Sequence, residues 1–180
     1  MENNRINLIR DSIRTIPDYP KKGILFRDIT TLLKDKVAFR LTNESLVMHA
    51  SEFPAFDYVA GIESRGFIFG SVLANLLGIG FIPIRKPGKL PGEVNSVDYE
   101  LEYGTDTVEV HVDAITEGAG YLVVDDLLAT GGTANASCKL IEKCGGVVSG
   151  CLFVVELSDL NGRSSLKNRV ISSIVQFEGE

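Results

Sequence analysis

Short apolar segments alternate with longer helical ones along most of this chain. The apolar segments are nearly continuous, as buried strands are, and lie at residues 57–63, 80–85, 120–126 and 147–157. Two segments between them favour helices, at residues 66–78 and 133–144. Strands that are apolar on both faces and alternate with helices are typical of a parallel sheet covered on both sides. The pattern therefore predicts an α/β fold.

The N-terminal region has helical spacing of a different kind. Ile6, Ile9, Ile13 and Ile16 recur on one face of a helix, and Pro17 follows at once. Because proline lacks the backbone N–H that a helix needs, Pro17 is expected to end this element. The spacing predicts a first helix that runs as far as Ile16.

The remaining segments are less regular. A helix is predicted over about 36–52, and two further strands over 107–112 and 169–177. Residues 86–107 are polar and contain several glycines and prolines. These residues favour turns, so we predict that 86–107 has no regular structure and is mobile.

Composition narrows the class of protein. With 180 residues, 44% of them hydrophobic and 23% charged, the chain is predicted to form one domain, residues 1–180, without a linker. A net charge of -6 argues against a general nucleic-acid surface, and no apolar run reaches the roughly 20 residues of a membrane span. The amphipathic N-terminus is unlike a signal peptide, and the three cysteines suit buried thiols in a cytoplasmic protein. The predicted partners therefore include neither nucleic acid nor membrane.

The stretch VVDDLLATGGTA, residues 123–134, carries the first candidate chemistry. It ends an apolar strand and begins a helix, and ligands of parallel sheets bind beyond the carboxyl ends of the strands. A helix N-terminus presents unpaired N–H groups to a phosphate, and glycine lets the backbone approach it closely. The predicted phosphate-binding residues are Ala129, Thr130, Gly131, Gly132 and Thr133.

Two adjacent carboxylates, Asp125 and Asp126, precede that loop. They repel a phosphate but are good acceptors for the two hydroxyls of a ribose. The alternative is that they only cap the next helix or face solvent. Together with the loop they predict a sugar-phosphate site. The P-loop and dinucleotide glycine patterns are both absent from the sequence.

Basic residues follow two other strands. Arg65 stands in ESRG, directly after the first strand of the sheet, and Arg85, Lys86 and Lys89 follow the second. Exposed lysines usually form only a solvated surface patch, which is the alternative interpretation. Since both clusters lie where a parallel sheet opens, we predict that they bind a second phosphate group, a pyrophosphate.

The chain resembles the type I phosphoribosyltransferases, and in particular their adenine-using members. The stretch 123–134 is similar to their signature for 5-phosphoribosyl 1-pyrophosphate (PRPP). Four more stretches are similar in the same order, at 16–30, 61–70, 83–92 and 99–111. The resemblance implies a five-stranded parallel core flanked by helices, a small hood built from about 1–35, and a homodimer. It also implies conversion of adenine and PRPP to AMP and pyrophosphate with Mg²⁺. Because the sequence offers no dedicated carboxylate cage and Asp125 and Asp126 are assigned to the sugar, we predict that PRPP carries the Mg²⁺ and that no side chain is a metal ligand.

The resemblance assigns roles to individual residues. It places Ser64, Arg65, Lys86 and Lys89 at the pyrophosphate and implies a cis peptide bond near Glu63–Ser64, although many relatives have Asp where this chain has Glu63. It implies that Glu102, next to Tyr103 on a closing loop, acts near the base, where a carboxylate could accept the purine proton. Adenine contacts are implied for the Leu25 backbone and Arg27; Phe26 is predicted to stack on the base, and Leu160 to cover it. Two other functions stay open: transfer to another purine, such as hypoxanthine or xanthine, and a non-catalytic PRPP-binding regulator.

Overall fold

The computed structural model describes residues 2–100 and 104–179. The helices of this part of the chain are α1 Glu2–Asp11, α2 Thr30–Lys34, α3 Lys36–Ala50, α4 Gly66–Leu77 and α5 Gly132–Lys143. The strands are β1 Arg14–Pro17, β2 Leu25–Asp28, β3 Tyr58–Ile62, β4 Gly80–Ile84, β5 Val94–Glu100, β6 Thr105–His111, β7 Gly120–Leu128, β8 Val147–Leu157 and β9 Ile171–Phe177. Two short 3-10 turns, Ser158–Leu160 and Gly162–Leu166, connect β8 to β9.

A five-stranded parallel sheet forms the centre, in the order β4-β3-β7-β8-β9. One hydrophobic cluster joins one face of the sheet to α1, α3 and α4 through side chains such as Ile9, Leu46 and Phe69. A second cluster joins the other face to α5 and β6 through Ile141 and Val108. Both faces are therefore covered, which confirms the predicted α/β fold with a five-stranded parallel sheet flanked by helices.

The N-terminal prediction was partly wrong. The first helix ends at Asp11, and Arg14–Pro17 forms β1, which pairs antiparallel with β2 from Arg14↔Asp28 to Pro17↔Leu25. Ile9 and Ile13 are both buried, so their spacing reflects burial rather than one continuous helix. Residues 14–17 form a strand because they pair with β2, which begins eleven residues after β1 begins, and no local sequence signal indicates this pairing.

The prediction for 86–107 was also wrong in part. Residues 94–100 form β5, which pairs antiparallel with β6 along its whole length, from Val94↔His111 to Glu100↔Thr105. The glycines lie at the ends of this hairpin, where Gly92 and Gly104 take positive φ angles. Val97 and Tyr99 pack against the second hydrophobic cluster. Pairing with β6 and burial of these side chains therefore stabilise a strand that the turn-rich sequence does not favour.

The β1–β2 hairpin is held by a buried carboxylate. Asp28 accepts hydrogen bonds from the Arg14 side chain and from the Thr30 N–H (2.9 Å) and hydroxyl (2.8 Å). The Arg14 hydrogen bond, with those of Thr30, lowers the pKa of Asp28 from 3.8 to about 2. The ionised form is thus the one that stabilises the hairpin.

Replacing Asp28 with Asn should destabilise the protein by about 2 kcal/mol at pH 7, since one pKa unit corresponds to about 1.4 kcal/mol. Because the folded-state pKa is depressed, the contribution is complete above pH 3.8 and is lost as the pH falls towards 2. The difference in the free energy of unfolding between wild type and Asp28→Asn, measured with urea, should shrink to roughly half by pH 3. Asp113→Asn changes an exposed carboxylate and is the control, which should show no such difference at either pH. A difference independent of pH would contradict the assignment.

Candidate active site

The candidate site lies at the edge of the sheet where the parallel strands end. The segments after β3, β4, β7 and β8 all emerge there because parallel strands end on the same side. The predicted phosphate loop, the two carboxylates and the basic residues therefore lie on this edge. These segments are residues 63–65, 85–89, 129–133 and 158–166.

Residues Ala129–Thr133 form the phosphate loop, which joins β7 to α5. Its residues line a cavity of about 80 Å³ together with Asp125. Gly131 precedes α5 with φ of +79°, and its carbonyl accepts the first helical hydrogen bond, from Asn135 N–H at 2.9 Å. The unpaired N–H groups of the α5 N-terminus lie at this loop, and such groups favour an anion.

The phosphate loop packs against the segment 158–166, a contact that the sequence analysis missed although it named Leu160 of that segment. A Cβ on Gly131 would lie 2.4 Å from the Gly162 carbonyl oxygen, and a Cβ on Gly162 would lie 2.2 Å from that of Ala129. The Ser165 hydroxyl also donates to the Thr130 carbonyl at 2.7 Å. Both glycines are therefore needed for backbone contact between the two segments. Asn161–Gly162 was the available sequence signal.

The two carboxylates beside the loop have different partners. Asp126 is buried and pairs with Arg65, Nε to Oδ2 at 2.9 Å. Asp125 accepts from the Asp126 N–H at 2.9 Å, and its Oδ1 lies where a Cβ on Gly66 would approach to 2.8 Å. Burial raises the pKa of Asp125 well above its usual range, and the Asp126 charge adds to this. Burial also raises the pKa of Asp126, while Arg65 opposes that rise.

Ionising both carboxylates therefore costs free energy. Hydroxyl donors or a cation beside the pair would offset that cost because they stabilise the charged form. The pair is thus placed to receive hydrogen-bond donors from a ligand. The alternative, that the two carboxylates cap the next helix, is wrong, because the α5 N-terminus has no side-chain cap.

The predicted basic residues are held by carboxylates. Arg85 makes two 3.2 Å contacts with Glu63, whose pKa is lowered chiefly by this hydrogen-bonded pair. The Lys86 N–H donates to the same carboxylate at 2.8 Å, and its ammonium contacts Asp106 and the Tyr99 hydroxyl. The Glu63–Ser64 peptide bond is cis, as the resemblance implied.

Lys89 and Ser64 complete the predicted basic region. The Lys89 carbonyl accepts from Arg85 Nη1 at 3.1 Å, so the 85–89 turn folds back on itself. Ser64 lies between Glu63 and Arg65, just before α4. The region is therefore a network of paired charges, and the sequence could not show these pairs.

Tyr99 connects the β5–β6 hairpin to the phosphate loop, a role that sequence analysis missed. Its hydroxyl lies 3.0 Å from the Thr133 hydroxyl and 3.0 Å from Asp106 Oδ2. Glu102 and Tyr103, predicted on the closing loop, lie outside the described residues.

A second cavity, of about 340 Å³, lies between β2 and the segment after β8. Its lining is mostly apolar, from Ile24, Leu25, Leu157, Leu160 and Phe177. Thr130 of the phosphate loop also lines it, so the two cavities adjoin. We call it the base pocket, because an apolar cavity of this size beside the phosphate loop is a candidate site for a planar base.

The three predicted adenine contacts fall in different places. Leu25 lines the base pocket. Phe26 packs edge-on against Tyr19, with 5.2 Å between ring centroids. The Arg27 guanidinium lies 4.4 Å from the Phe177 ring centroid and donates to the Thr15 hydroxyl at 2.6 Å. Only Leu25 of the three is among the described residues around the pocket.

The described residues contain neither a membrane-spanning helix nor a cluster of metal-ligating side chains. No helix in 2–100 or 104–179 is long and apolar enough to cross a membrane. Within the same ranges, no group of three or more His, Cys, Asp or Glu side chains is placed to hold a metal ion.

Known proteins are similar to this chain in sequence and in architecture. The sequence pattern of the phosphoribosyl transferase domain matches residues 43–177. The adenine phosphoribosyltransferases of Pelodictyon phaeoclathratiforme and Chlorobaculum tepidum are 57% and 54% identical over 175 residues, which is 96% of this chain and 99% of each relative. The chain therefore belongs to the phosphoribosyltransferase family, and within it to the adenine phosphoribosyltransferases.

Solved structures agree with that placement. The adenine phosphoribosyltransferase of Thermoanaerobacter pseudethanolicus is 53% identical, with a TM-score of 0.91 over 96% of this chain and 99% of that one. The Saccharomyces cerevisiae enzyme, solved in complex with adenine, is 38% identical with a TM-score of 0.90 over 96% and 99%. The resemblance found in the sequence is confirmed.

Replacing Gly131 with Ala should damage the protein more than the positive φ angle alone explains. Gly118→Ala is the matched control, since Gly118 has φ of +76° and open space around its Cβ position. The control should cost about 1–2 kcal/mol from backbone strain. Gly131→Ala should cost clearly more in urea unfolding, because its Cβ meets the Gly162 carbonyl, and should reduce stabilisation by added phosphate. Equal losses in the two variants would contradict the packing argument.

Proposed function

We propose that the protein transfers the 5-phosphoribosyl group of PRPP to N9 of adenine, forming AMP and pyrophosphate. The observation that carries this proposal is the contact between the phosphate cavity and the base pocket at Thr130, with the Asp125–Asp126 pair beside them. The relatives' names support adenine over another purine, and transfer over a purely regulatory role.

The ligand groups are assigned along the sheet edge. The 5′-phosphate binds the phosphate loop, and the ribose hydroxyls donate to Asp125 and Asp126. The pyrophosphate binds the region of Ser64, Arg65, Arg85, Lys86 and Lys89. The Arg65–Asp126 ion pair supports the placement of the pyrophosphate next to the ribose, because it links the proposed pyrophosphate region to the proposed ribose acceptors.

Mg²⁺ is the proposed metal, carried by PRPP on its pyrophosphate and ribose oxygens. Such oxygens are hard donors that suit Mg²⁺, and the ion supplies positive charge to the leaving group. On the protein side, the half-buried Asp125 and the buried Asp126 fit a nearby cation, since loss of hydration raises the pKa of both carboxyls and a cation would favour their charged form.

The base is read mainly by the hood, proposed as residues 1–35 of a single domain. Leu25 pairs with Pro17 in the β1–β2 ladder, and proline has no N–H to donate. The Leu25 carbonyl therefore receives no ladder hydrogen bond from its partner and can accept one from adenine. Leu160 covers the base, while Phe26 and Arg27 support the hood around it.

Transfer breaks the bond from C1 to the pyrophosphate oxygen, which leaves with the electron pair, and forms the bond from N9 to C1. A developing oxocarbenium centre is the expected transition state. Glu102 is proposed to accept the N9 proton, and Tyr103 to close the loop over the reaction. Supporting this, the hairpin that leads to Glu102 is tied to the phosphate loop through Tyr99 and Thr133. A homodimer in the cytoplasm is proposed from the family resemblance.

The purified protein should form AMP from adenine and PRPP only when Mg²⁺ is present, and should use hypoxanthine and guanine poorly. Mg²⁺ supplies positive charge to the leaving pyrophosphate, and the Leu25 carbonyl at the base pocket accepts from the amino group of adenine but repels the carbonyl of a 6-oxopurine. AMP and pyrophosphate formation measured with each base, with and without EDTA, checks this. Comparable turnover of hypoxanthine would refute the proposed specificity.

Asp125→Asn and Asp126→Asn should weaken the use of PRPP without unfolding the protein. A hydrogen bond to a charged group contributes about 1.5–3 kcal/mol, so kcat/KM for PRPP should fall roughly 10- to 150-fold in each variant. Asp126→Asn should be the more severe because it also releases Arg65. Steady-state kinetics measure this, with Asp113→Asn as the control. Wild-type kinetics in both variants would show that the pair does not hold the ribose.

A further inference from the structure

One charged side chain lines the base pocket. Among the described residues around this cavity, Thr130 and Asp159 have the only polar side chains, and Asp159 alone is charged. Thr130 belongs to the phosphate loop, so it marks the end where the ribose would lie. Asp159 stands in the first 3-10 turn after β8 and is exposed.

The Asp159 carboxylate is fixed on the hood side of the pocket. Its Oδ2 accepts from the Gly179 N–H at 2.5 Å. The adjoining carbonyls of Glu178 and Gly179 accept from Arg27 Nη2, at 3.2 and 3.5 Å. Arg27 lies in β2 beside Leu25, so the C-terminal segment joins Asp159 to the hood. The Oδ1 oxygen accepts no hydrogen bond from the residues that the structure describes.

An oxygen that only accepts hydrogen bonds can distinguish purines by the group at C6. Adenine carries an amino group there with two N–H donors, whereas hypoxanthine and guanine carry a carbonyl acceptor. A carboxylate only accepts, so it attracts the amino group and repels the carbonyl. The edge of a purine that carries C6 lies opposite N9, which must point towards the ribose and Thr130. A base in this pocket therefore presents C6 towards the hood side, where Asp159 is held.

We propose that Asp159 is a specificity-determining residue, which accepts a hydrogen bond from the 6-amino group of adenine and disfavours 6-oxopurines. The proposal rests on the proposed function and adds a side chain to it. The Leu25 carbonyl, which Pro17 leaves without a ladder hydrogen bond, offers the acceptor for the second amino hydrogen. Two acceptors on the hood side then match the two donors of adenine.

The test is Asp159→Asn, which keeps the size of the side chain but adds an N–H donor and removes the charge. For adenine, kcat/KM should fall about ten- to a hundredfold, as expected when a charged hydrogen bond is lost. For hypoxanthine, kcat/KM should stay the same or rise, because the amide can donate to its carbonyl. The ratio of the two should fall at least about tenfold, with the KM for PRPP unchanged.

Asp57→Asn is the matched control. Asp57 is exposed and also accepts from a glycine N–H, that of Gly120 at 2.8 Å, but it lies outside the hood and does not line the pocket. It should leave the adenine to hypoxanthine ratio unchanged. If Asp159→Asn lowers kcat/KM equally for adenine and hypoxanthine, Asp159 only fixes the C-terminal segment and the proposal is overturned. Wild-type values of kcat/KM for both bases would overturn it as well. Failure of the wild-type protein to form AMP would instead refute the proposed function.

Discussion

The site depends on the backbone contact between the phosphate loop and the segment 158–166. Gly131 and Gly162 are both needed for it, because a Cβ on either would clash with a carbonyl oxygen of the other segment. The segment is anchored in turn by Glu156 and Arg163, whose side chains meet at 2.7 and 2.8 Å. Glu156 is buried and also accepts from Ser173, so the anchor reaches the edge strand β9. Since the same segment supplies Asp159 and Leu160 to the base pocket, one anchor sets the spacing between the phosphate loop and the base pocket.

Paired charges would explain how an acidic chain binds a polyanion at the proposed pyrophosphate site. The net charge is -6, yet Arg65, Arg85 and Lys86 lie at the sheet edge, each beside a carboxylate. Carboxylate partners hold long cationic side chains in one geometry and reduce their mutual repulsion. A pyrophosphate bound as proposed would add to or replace these partners, so its binding free energy would be smaller than three free cations would give. The arrangement would then favour orientation of the leaving group over tight binding.

The sequence predicted the parallel sheet and the phosphate loop because their signals are local. Apolar runs, a glycine pair and a strand-to-helix junction all lie within a few residues of each other. It failed where distant partners decide the structure. Pro17 indicated the end of a helix but lies in a hairpin with Leu25, and the turn-rich segment before Thr105 contains a strand that pairs with β6. The ion pairs of Arg85 and Lys86, and the packing of Gly162, likewise depend on contacts between separate elements.

The proton of the Tyr99 hydroxyl links the hairpin to the phosphate loop. This oxygen contacts Lys86, Asp106 and Thr133, and Lys86 can only donate to it. The single Tyr99 proton is best donated to the Asp106 carboxylate, since two oxygens 3.0 Å apart without a hydrogen between them would repel. The Thr133 hydroxyl must then donate to Tyr99. A phosphate bound in the loop as proposed would compete for that same hydroxyl hydrogen, so filling the loop would weaken one contact that holds the hairpin. On that proposal, the position of the β5–β6 hairpin and the occupancy of the phosphate loop are energetically coupled through one hydrogen bond.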